Sequence, residues 1–284
     1  MAVHRHFPPT APADERLAAW QPGGRRALSL DDFDPAARPY STGAKLSDRA
    51  AVDKLAEEID ALQNLFHADR RYKLLVVLQG LDTSGKDGTI RGVFGRTSPL
   101  GVRAVGWRAP SEEERAHDFL WRIHKQVPGA GEVVVFNRSH YEDVLVPVVA
   151  GSIDDATRQR RLAQINDFER MLAENGTVIR KFMLHIGFEE QRQRLQARLD
   201  DPAKNWKFSP EDLTVRHQWT EYRHAYEALL AATHTSWAPW TIVPADSKTH
   251  RNLMIATLVR DTLAALNLRP PPPDPALKGV RVEA

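Results

Sequence analysis

The sequence predicts an α/β protein with a five-stranded parallel sheet covered by helices on both faces, a three-layer sandwich. Buried parallel strands read as short, nearly continuous apolar runs. Five such runs lie at 73–79, 102–107, 132–136, 178–186 and 240–243. Helical patterns separate them, which favours parallel strands joined by crossover helices. Ligands of such sheets bind at the carboxyl ends of the strands, so the residues that follow each run are the candidates for chemistry.

The first two predicted helices rest on apolar spacing and on a capping signal. Ahead of the first strand, one apolar face recurs at three and four residues and consists of Val52, Leu55, Ile59, Leu62 and Phe66. Between the second and third strands, Ser111 and Glu114 match a capping box. That box predicts a helix that carries the apolar residues of 119–123.

The remaining helices are predicted from capping residues and from proline at a first helical position. A helix is predicted over 154–175, another opens at Ser209-Pro210, and the last covers 247–266.

The whole chain, 1–284, is interpreted as a single domain with a core over 46–267. Residues 1–45 are predicted to form an irregular arm on the core or on a neighbouring subunit. The proline-rich residues 268–284 are predicted to form a tail.

Composition and charge exclude several classes of protein. The 284 residues are 42% hydrophobic and 27% charged, which is typical of a globular domain. The net charge of +2 argues against a nucleic-acid coat or a polybasic membrane anchor. The chain has no cysteine, which excludes disulfides, thiolate metal sites and cysteine nucleophiles. No signal peptide or membrane span is indicated, so we expect a cytoplasmic protein.

The segment after the first strand predicts a phosphate-binding loop. Gly80, Gly85 and Lys86 match the Walker A spacing G-x-x-x-x-G-K, with a strand before and a helix after. Glycines let successive amides face phosphate oxygens at the start of a helix, and the lysine adds a full charge. The alternative is a tight turn without function. The candidate phosphate-binding residues are Gly80, Thr83, Ser84, Gly85, Lys86, Asp87, Gly88 and Thr89.

Two departures from the usual loop indicate a metal ion. The hydroxyl residue that normally follows the lysine and ligates magnesium is Asp87 here. Asp82, inside the loop, would repel a phosphate unless a cation lay between them. We therefore expect Asp82 to contact Mg²⁺, directly or through water, with Mn²⁺ as a substitute. The alternative is a loop carboxylate that faces solvent.

A second polar cluster follows the third strand. Walker B aspartates occupy this position in P-loop enzymes, but the chain has Asn137 here. Glu142 and Asp143 could supply the missing metal ligands, and Arg138 could neutralise a transferring phosphate. The alternative for Arg138 and Asp143 is a local ion pair. His140 and Tyr141 fit packing as well as function.

These motifs together resemble the type-2 polyphosphate kinases. The resemblance rests on the loop around Gly80–Gly88, on FNRSHYED at 136–143, on WKFSP at 206–210 and on the stretch 109–126, and it covers about 46–267. It implies a P-loop kinase fold with a helical lid at about 188–216, Mg²⁺ dependence and a homo-oligomer, a dimer or tetramer. Asn137 with Glu142 and Asp143 is similar to the subgroup that accepts AMP and ADP.

The basic residues suit a polyanionic donor, although a solvated helix surface explains them equally well. Arg91, Arg96, Arg103 and Arg108 lie in a stretch without acidic residues, and the lid segment carries further cations. A phosphate chain in a groove needs successive cations. The lid candidates for polyphosphate binding are Arg198, Lys204 and Lys207, with Arg192 and Arg194 nearby.

The predicted reaction transfers a phosphoryl group between inorganic polyphosphate and adenine nucleotides, with guanine nucleotides as an alternative. The predicted catalytic residues are Asp82, Lys86, Arg138 and Asp143, and the predicted nucleotide-binding residues are Asn137, Arg138, His140, Glu142 and Asp143. Nucleic acid and membranes are not expected partners. Two alternatives stay open: an ATP-dependent nucleotide kinase, and a polyphosphate-binding protein without catalysis.

Overall fold

The predicted sheet is present in the computed structural model, which describes residues 14–23 and 28–282. Its strands are β1 (Lys73–Gln79), β2 (Val102–Gly106), β3 (Val133–Asn137), β4 (Thr177–His185) and β5 (Trp240–Pro244). They pair in parallel in the order β2-β3-β1-β4-β5, with β1 at the centre. Every residue of β3 except Asn137 is buried, as the apolar runs predict.

Helices cover both faces of the sheet, which confirms the three-layer sandwich. Among the described residues, α2, α3 and α11 contact one another on one side, and α6, α7 and α10 do so on the other. The helices are α1 (Glu15–Ala18), α2 (Lys45–Asp69), α3 (Lys86–Phe94), α4 (Glu112–Arg115), α5 (Trp121–His124), α6 (Glu142–Val149), α7 (Asp155–Glu174), α8 (Phe188–Leu199), α9 (Pro210–His217), α10 (Trp219–Thr233) and α11 (Lys248–Ala265), with short 3-10 helices at Leu30–Asp32, Asn205–Lys207 and Pro275–Leu277.

The region after β2 differs from the predicted continuous helix. The capping box of Ser111 and Glu114 forms, but α4 ends after one turn. Asp118 then accepts a hydrogen bond from the backbone N–H of Leu120 at 3.0 Å, a local turn that competes with helix. A second short helix, α5, begins at Trp121. The caps at Asp154, Ser209 and Ser247 open their helices as predicted.

The described part of the arm lies against the core of the same chain. The backbone N–H of Ile242 in β5 donates to the carbonyl of Trp20 at 2.8 Å, and that of Asp246 donates to Pro35 at 3.1 Å. The N–H of Tyr40 donates to Nε2 of the buried His250 at 3.0 Å. Residues 1–13 and 24–27 of the predicted arm lie outside the described residues.

At the other end of the chain, residues 269–282 are exposed, and residues 283–284 of the predicted tail are not described. Within 14–23 and 28–282, no helix is both long and apolar enough to span a bilayer.

The sheet register brings the candidate residues together. Leu78 of β1 and Gly106 of β2 both pair with Asn137 of β3. The loop after β1 and the motif after β3 therefore emerge side by side at the carboxyl edge of the sheet.

Candidate active site

The loop after β1 has the backbone geometry of a phosphate cradle. Gly80 has a φ of +144° and Gly85 a φ of +103°, both in a region that favours glycine. A Cβ at Gly80 would lie 2.7 Å from the carbonyl oxygen of Leu184, so a side chain there is excluded. Gly85 is the N-cap of α3, whose first amides lack intrahelical acceptors. Residues 85–88 line a cavity, so these amides lie where an anion would bind.

Lys86 is positioned beneath this loop. Its side chain is buried, and Nζ donates to the carbonyls of Gly80 at 2.6 Å and Leu81 at 3.2 Å. A lysine ammonium has three hydrogens, so one stays available for an incoming oxygen. Burial and the charge of Arg138 lower the pKa of Lys86 to about 8, although nearby carboxylates oppose that change. An anion in the cavity would favour the charged amine.

Asp82, Arg138 and Glu142 form a chain of ion pairs across the loop. Arg138 Nη2 lies 2.5 Å from Asp82 Oδ1, and Arg138 Nη1 lies 3.3 Å from Glu142 Oε2. Burial acts to raise the pKa of Asp82, but the charges of Lys86 and Arg138 outweigh it and lower the pKa. Arg138 has a φ of +63°, a conformation costly for a residue with a side chain. The structure thus brings four predicted site residues together, namely Asp82, Lys86, Arg138 and Glu142.

Two buried arginines donate hydrogen bonds to backbone carbonyls of the loop. Arg194 of α8 donates to the carbonyl of Thr83 at 3.0 Å, and Arg251 of α11 donates to that of Ser84 at 3.0 Å. Both guanidinium groups also hold other groups nearby, since Arg194 bonds the carbonyl of Asp246 and Arg251 bonds the Thr89 hydroxyl. Arg194 was a candidate for polyphosphate contact, and Arg251 was missed. Only the approach of α8 and α11 to the loop reveals their supporting role.

The loop opens into a cavity of about 740 Å³ with a strongly cationic wall, called here the main cavity. Three carboxylates line it: Asp82, Asp87 and Asp212. Ten cationic side chains line it: Lys86, Arg91, Arg108, Arg138, Arg194, Arg198, Lys204, Lys207, Lys248 and Arg251. An excess of positive charge in a concave site attracts and holds polyanions. Arg96 instead pairs with Asp53 and Glu57, and Arg103 pairs with Glu132.

The lid segment supplies the predicted cations Arg198, Lys204 and Lys207 to the main cavity. It also supplies Asp212, which was not among the predicted site residues and whose side chain caps the start of α9. Burial raises the pKa of Asp212, and the charge of Asp82 adds to that change. The two carboxylates therefore share one electrostatic environment. Asp212 lies two residues after the WKFSP motif, and this position is the sequence feature that could have identified it as a site residue.

The loop hydroxyls divide between the main cavity and the core. Ser84 and Thr89 are fully buried, and the Thr89 hydroxyl accepts from Arg251 Nε at 2.9 Å. Thr83 lines the main cavity, and its buried Oγ1 has no hydrogen-bond partner among the described residues. Asn137 also lines the cavity and donates from Nδ2 to Asp87 Oδ1 at 2.6 Å. Ser84 and Thr89 can thus reach a phosphate only through their backbone, whereas Asn137 offers its side chain to the main cavity.

His140 and Tyr141 turn away from the main cavity into a buried group that we call the sealed cluster: His140, Tyr141, Glu169 and Lys181. Lys181 Nζ donates to the Tyr141 hydroxyl and to Glu169 Oε2, each at 2.7 Å, and His140 Nε2 lies 3.2 Å from Glu169 Oε1. All four side chains are fully buried. Burial alone would raise the pKa of Glu169, but the Lys181 charge and the His140 contact lower it. His140, a predicted nucleotide-binding residue, therefore does not line the main cavity.

Of the three predicted metal ligands, Asp82, Glu142 and Asp143, only Asp82 lines the main cavity. Asp143 faces Arg122, whose Nη2 lies 3.1 Å from its Oδ2, and burial raises its pKa. Glu142 is bound by Arg138 and by Gln79 Nε2, the latter at 3.0 Å. Neither lines the main cavity, because Asp143 projects from α6 toward α5 and Glu142 lies behind Arg138. Within the described ranges, no three acidic or histidine side chains cluster as a metal site.

The remaining donors still fit Mg²⁺. That ion keeps several waters and needs one or two carboxylates together with substrate phosphates. Asp82 and Asp212 offer two carboxylates that line the main cavity and interact electrostatically. Asp82 is the predicted ligand that the structure leaves in place.

A five-stranded parallel sheet, a glycine loop over a buried lysine and a cationic helical segment after β4 define a P-loop phosphotransferase. The sequence model of the polyphosphate kinase 2 family matches residues 43–270, and the chain belongs to this family. A crystal structure of polyphosphate kinase 2 from Arthrobacter aurescens is 41% identical, with a TM-score of 0.88 over 95% of this chain and 94% of that one.

Two curated relatives extend the likeness. The AMP/ADP-polyphosphate phosphotransferase of Meiothermus ruber is 46% identical over 93% of this chain and 98% of its own length. The ADP-polyphosphate phosphotransferase of Rhodopseudomonas palustris is 38% identical over 80% of this chain and 82% of its own length. Family membership and the predicted fold are thus confirmed.

Proposed function

We infer that this protein is a polyphosphate kinase that transfers a phosphoryl group between inorganic polyphosphate and AMP or ADP. The observation that carries this function is the wall of the main cavity, where ten cations and three carboxylates surround the P-loop. Two phosphate-bearing substrates must meet there, and each phosphate desolvated without a cation would be costly. The names of the relatives from Meiothermus ruber and Rhodopseudomonas palustris agree with this substrate pair.

The residues on the cavity wall support an in-line transfer. The amides of residues 85–88 and Lys86 would hold the terminal phosphates of the donor. A phosphate oxygen of the nucleotide attacks the terminal phosphorus, and the bond from that phosphorus to its bridging oxygen breaks. The shortened chain leaves with the electron pair on that oxygen. Arg138 and Lys86 stabilise the spreading negative charge, and no general base is needed because the attacking oxygen is already anionic.

We propose Mg²⁺, with Mn²⁺ as a substitute, as the required cofactor. Asp82 and Asp212 would hold it, and Glu142 and Asp143 would not be direct ligands. When bound, the ion supplies positive charge between the carboxylates and the phosphates and orients those oxygens. Against the effect of burial, the charges of Lys86 and Arg138 lower the pKa of Asp82 and so keep it ionised for this task.

The deciding experiment supplies purified protein with AMP or ADP, polyphosphate and Mg²⁺, without any nucleoside triphosphate. We expect ADP or ATP to form. A parallel reaction replaces polyphosphate by ATP with AMP as acceptor. Turnover in that reaction alone would identify an ATP-dependent nucleotide kinase instead. Polyphosphate binding without product in either reaction would identify a binding protein.

We also propose a cytoplasmic homo-oligomer. The family resemblance supports the oligomer, and the absence of cysteine is compatible with a reducing compartment. Light scattering on the purified protein tests the oligomer: a mass of about one chain, 32.0 kDa, would contradict it.

A further inference from the structure

Gln79 is the last residue of β1, and its fully buried side chain does not line the main cavity. A buried amide needs partners for its nitrogen and for its oxygen, and both partners of Gln79 come from the motif after β3. Gln79 Nε2 donates to Glu142 Oε1 at 3.0 Å, and Gln79 Oε1 accepts from the Ser139 hydroxyl at 3.3 Å. This side chain therefore connects the strand that carries the P-loop to the motif that carries Arg138.

Ser139 determines which end of the Gln79 amide faces Glu142. The Ser139 hydroxyl accepts from the backbone N–H of Tyr141 at 3.2 Å, so its own hydrogen is available to Gln79 Oε1. Ser139 is fully buried, so bulk water does not compete for that hydrogen. Because the oxygen of the amide is held in this way, the donating nitrogen faces the carboxylate.

Glu142 connects Gln79 to Arg138. One carboxylate oxygen of Glu142 accepts from Gln79, and the other lies 3.3 Å from Arg138 Nη1. Burial acts to lower the pKa of Arg138, but the charges of Glu142 and Asp82 raise it. Both carboxylates therefore stabilise the charged guanidinium.

The two carboxylates that hold Arg138 differ in their access to substrate. Asp82 lines the main cavity, where the proposed Mg²⁺ would compete with Arg138 for its oxygens. Glu142 does not line that cavity, so bound substrate leaves its contact with Arg138 in place. The backbone of Arg138 is fixed separately, because its N–H donates to the carbonyl of Leu78 at 3.0 Å. Glu142 is therefore the partner that can hold the end of the Arg138 side chain throughout turnover.

We propose that Gln79 is a positioning residue for the phosphoryl transfer, which acts through Glu142 to hold the Arg138 guanidinium at the transferring phosphate. This inference rests on the proposed function. Without the Gln79 amide, the Glu142 side chain, which is 18% exposed, can turn toward water and draw Arg138 with it. A displacement of about 1 Å in a group that acts on the transition state can cost about a hundredfold in rate.

The variant Gln79→Glu tests this role through the dependence of kcat on pH. The substituted side chain has nearly the same shape, and in its protonated form it can still donate to Glu142. Two carboxylates at hydrogen-bond distance do not both ionise easily, so the pair shares a proton up to an elevated pH. When that proton is lost, the new carboxylate repels Glu142, and Arg138 loses its anchor. We expect the ratio of the variant kcat to the wild-type kcat to fall roughly tenfold between about pH 6 and 9.

Two further measurements distinguish positioning from a purely structural role. The KM for polyphosphate should stay within about twofold of the wild-type value, because the P-loop amides and Lys86 are unchanged and the lost interaction acts in the transition state. The double variant Gln79→Glu, Glu142→Gln exchanges the donor and the acceptor and leaves a single carboxylate. It should recover part of the lost kcat at high pH, and its ratio to the wild-type kcat should no longer depend on pH.

The other ionisable groups around Glu142 do not produce this signal. Burial and the charge of Glu142 raise the pKa of Tyr222 and of Tyr226 on α10, so both hydroxyls stay protonated over this range. The raised pKa of Arg138 keeps its guanidinium charged. Lys86 titrates in the variant and in the wild-type protein alike, so its effect cancels in the ratio.

The matched control is Gln63→Glu, the same substitution at another buried glutamine, which lies on α2 and does not line the main cavity. This control should lower the melting temperature without adding a pH dependence to kcat. A second variant, Gln79→Met, removes the donor without adding a charge and should lower kcat by a similar factor at every pH.

The role of Gln79 would be overturned by a Gln79→Glu ratio that stays flat with pH, or by the same slope in the Gln63→Glu control. If Gln79→Glu does not fold, Gln79→Met decides, and a wild-type kcat in that variant would overturn the inference. A wild-type protein that formed no product from polyphosphate would instead contradict the proposed function itself.

Discussion

The main cavity and the sealed cluster contain the same kinds of charged residue, but these residues have different roles in the two regions. In the sealed cluster, Lys181 donates to two side chains and to the carbonyl of Thr233, so its ammonium is fully satisfied within the protein. In the main cavity, cations outnumber carboxylates, and Lys86 keeps one hydrogen for a ligand. One motif reaches both regions, since Arg138 lines the cavity while His140 and Tyr141 lie in the cluster. A balanced buried charge secures the fold, whereas an unbalanced accessible charge binds substrate.

The largest effect that separates the two regions is expected at Arg138. Arg138→Ala should lower kcat by about a thousandfold, because the guanidinium that faces Asp82 and the transferring phosphate is lost. The Arg138 side chain is 37% exposed, so water can solvate the carboxylates that lose their partner, and the melting temperature should fall much less than on breaking a fully buried pair. Steady-state kinetics and a melting curve on the same preparation check both. A large fall in melting temperature with retained kcat would reverse the assignment of Arg138 to the cavity.

The sealed cluster should show the opposite pattern. Lys181→Met leaves the buried Glu169 carboxylate without its cation and should lower the free energy of unfolding by about 3 to 5 kcal/mol. Denaturant unfolding measures this loss.

Pairing Lys181→Met with Glu169→Gln removes the uncompensated charge and should restore part of the stability. The comparison between the two regions would be wrong if Lys181→Met unfolded like the wild-type protein but lost its activity.

The variant Asp82→Asn tests which carboxylate binds the metal ion. The fold should stay intact, and activity should fall by about a hundredfold, with higher Mg²⁺ needed for half-maximal rate. Asp143→Asn provides the contrast, because Asp143 faces Arg122 and lies outside the main cavity. We expect its Mg²⁺ requirement to match that of the wild-type protein. A larger Mg²⁺ shift in Asp143→Asn than in Asp82→Asn would favour the original set of ligands.

The smallest effect is a dependence on pH from Lys86. Its pKa in the cavity is about 8, below the ordinary value of 10.5, so the charged amine is present below pH 8 and is lost as the pH rises through it. The value of kcat/KM for polyphosphate should therefore fall severalfold from pH 7.5 to 9, because Lys86 attracts the chain only in its protonated form. A Lys86→Arg variant, less active but permanently charged, should lack this fall. The same slope in both would exclude Lys86 as the titrating group.

A rise in pH should have the opposite effect, through Lys86, on the stability of the protein. A depressed lysine pKa means that the unfolded chain binds more protons between about pH 8 and 10.5, so the contribution of Lys86 to stability increases with pH over that window. Activity and stability thus move apart as the pH rises, which distinguishes loss of binding from unfolding.

Much of the fold could be predicted because its determinants are local. The apolar run of β1, the glycines of the loop and the cap at Ser209 each specify their element within a few residues. The helix predicted after Ser111 was wrong in its length, because the turn at Asp118 competes with the helix over a similarly short range. A capping signal predicts where a helix starts but does not determine how far it continues.

The sequence by itself determined the parallel sheet and the loop over Lys86, because apolar runs and glycine spacing act locally, and it placed Arg138 near the same phosphates because its motif follows an apolar strand. Only the tertiary structure decided that Asp143 turns to Arg122, that Asp212 lines the same cavity as Asp82, and that Arg194 and Arg251 donate to carbonyls of the loop. These directions depend on how distant helices pack, and the spacing of residues along the chain does not carry that information.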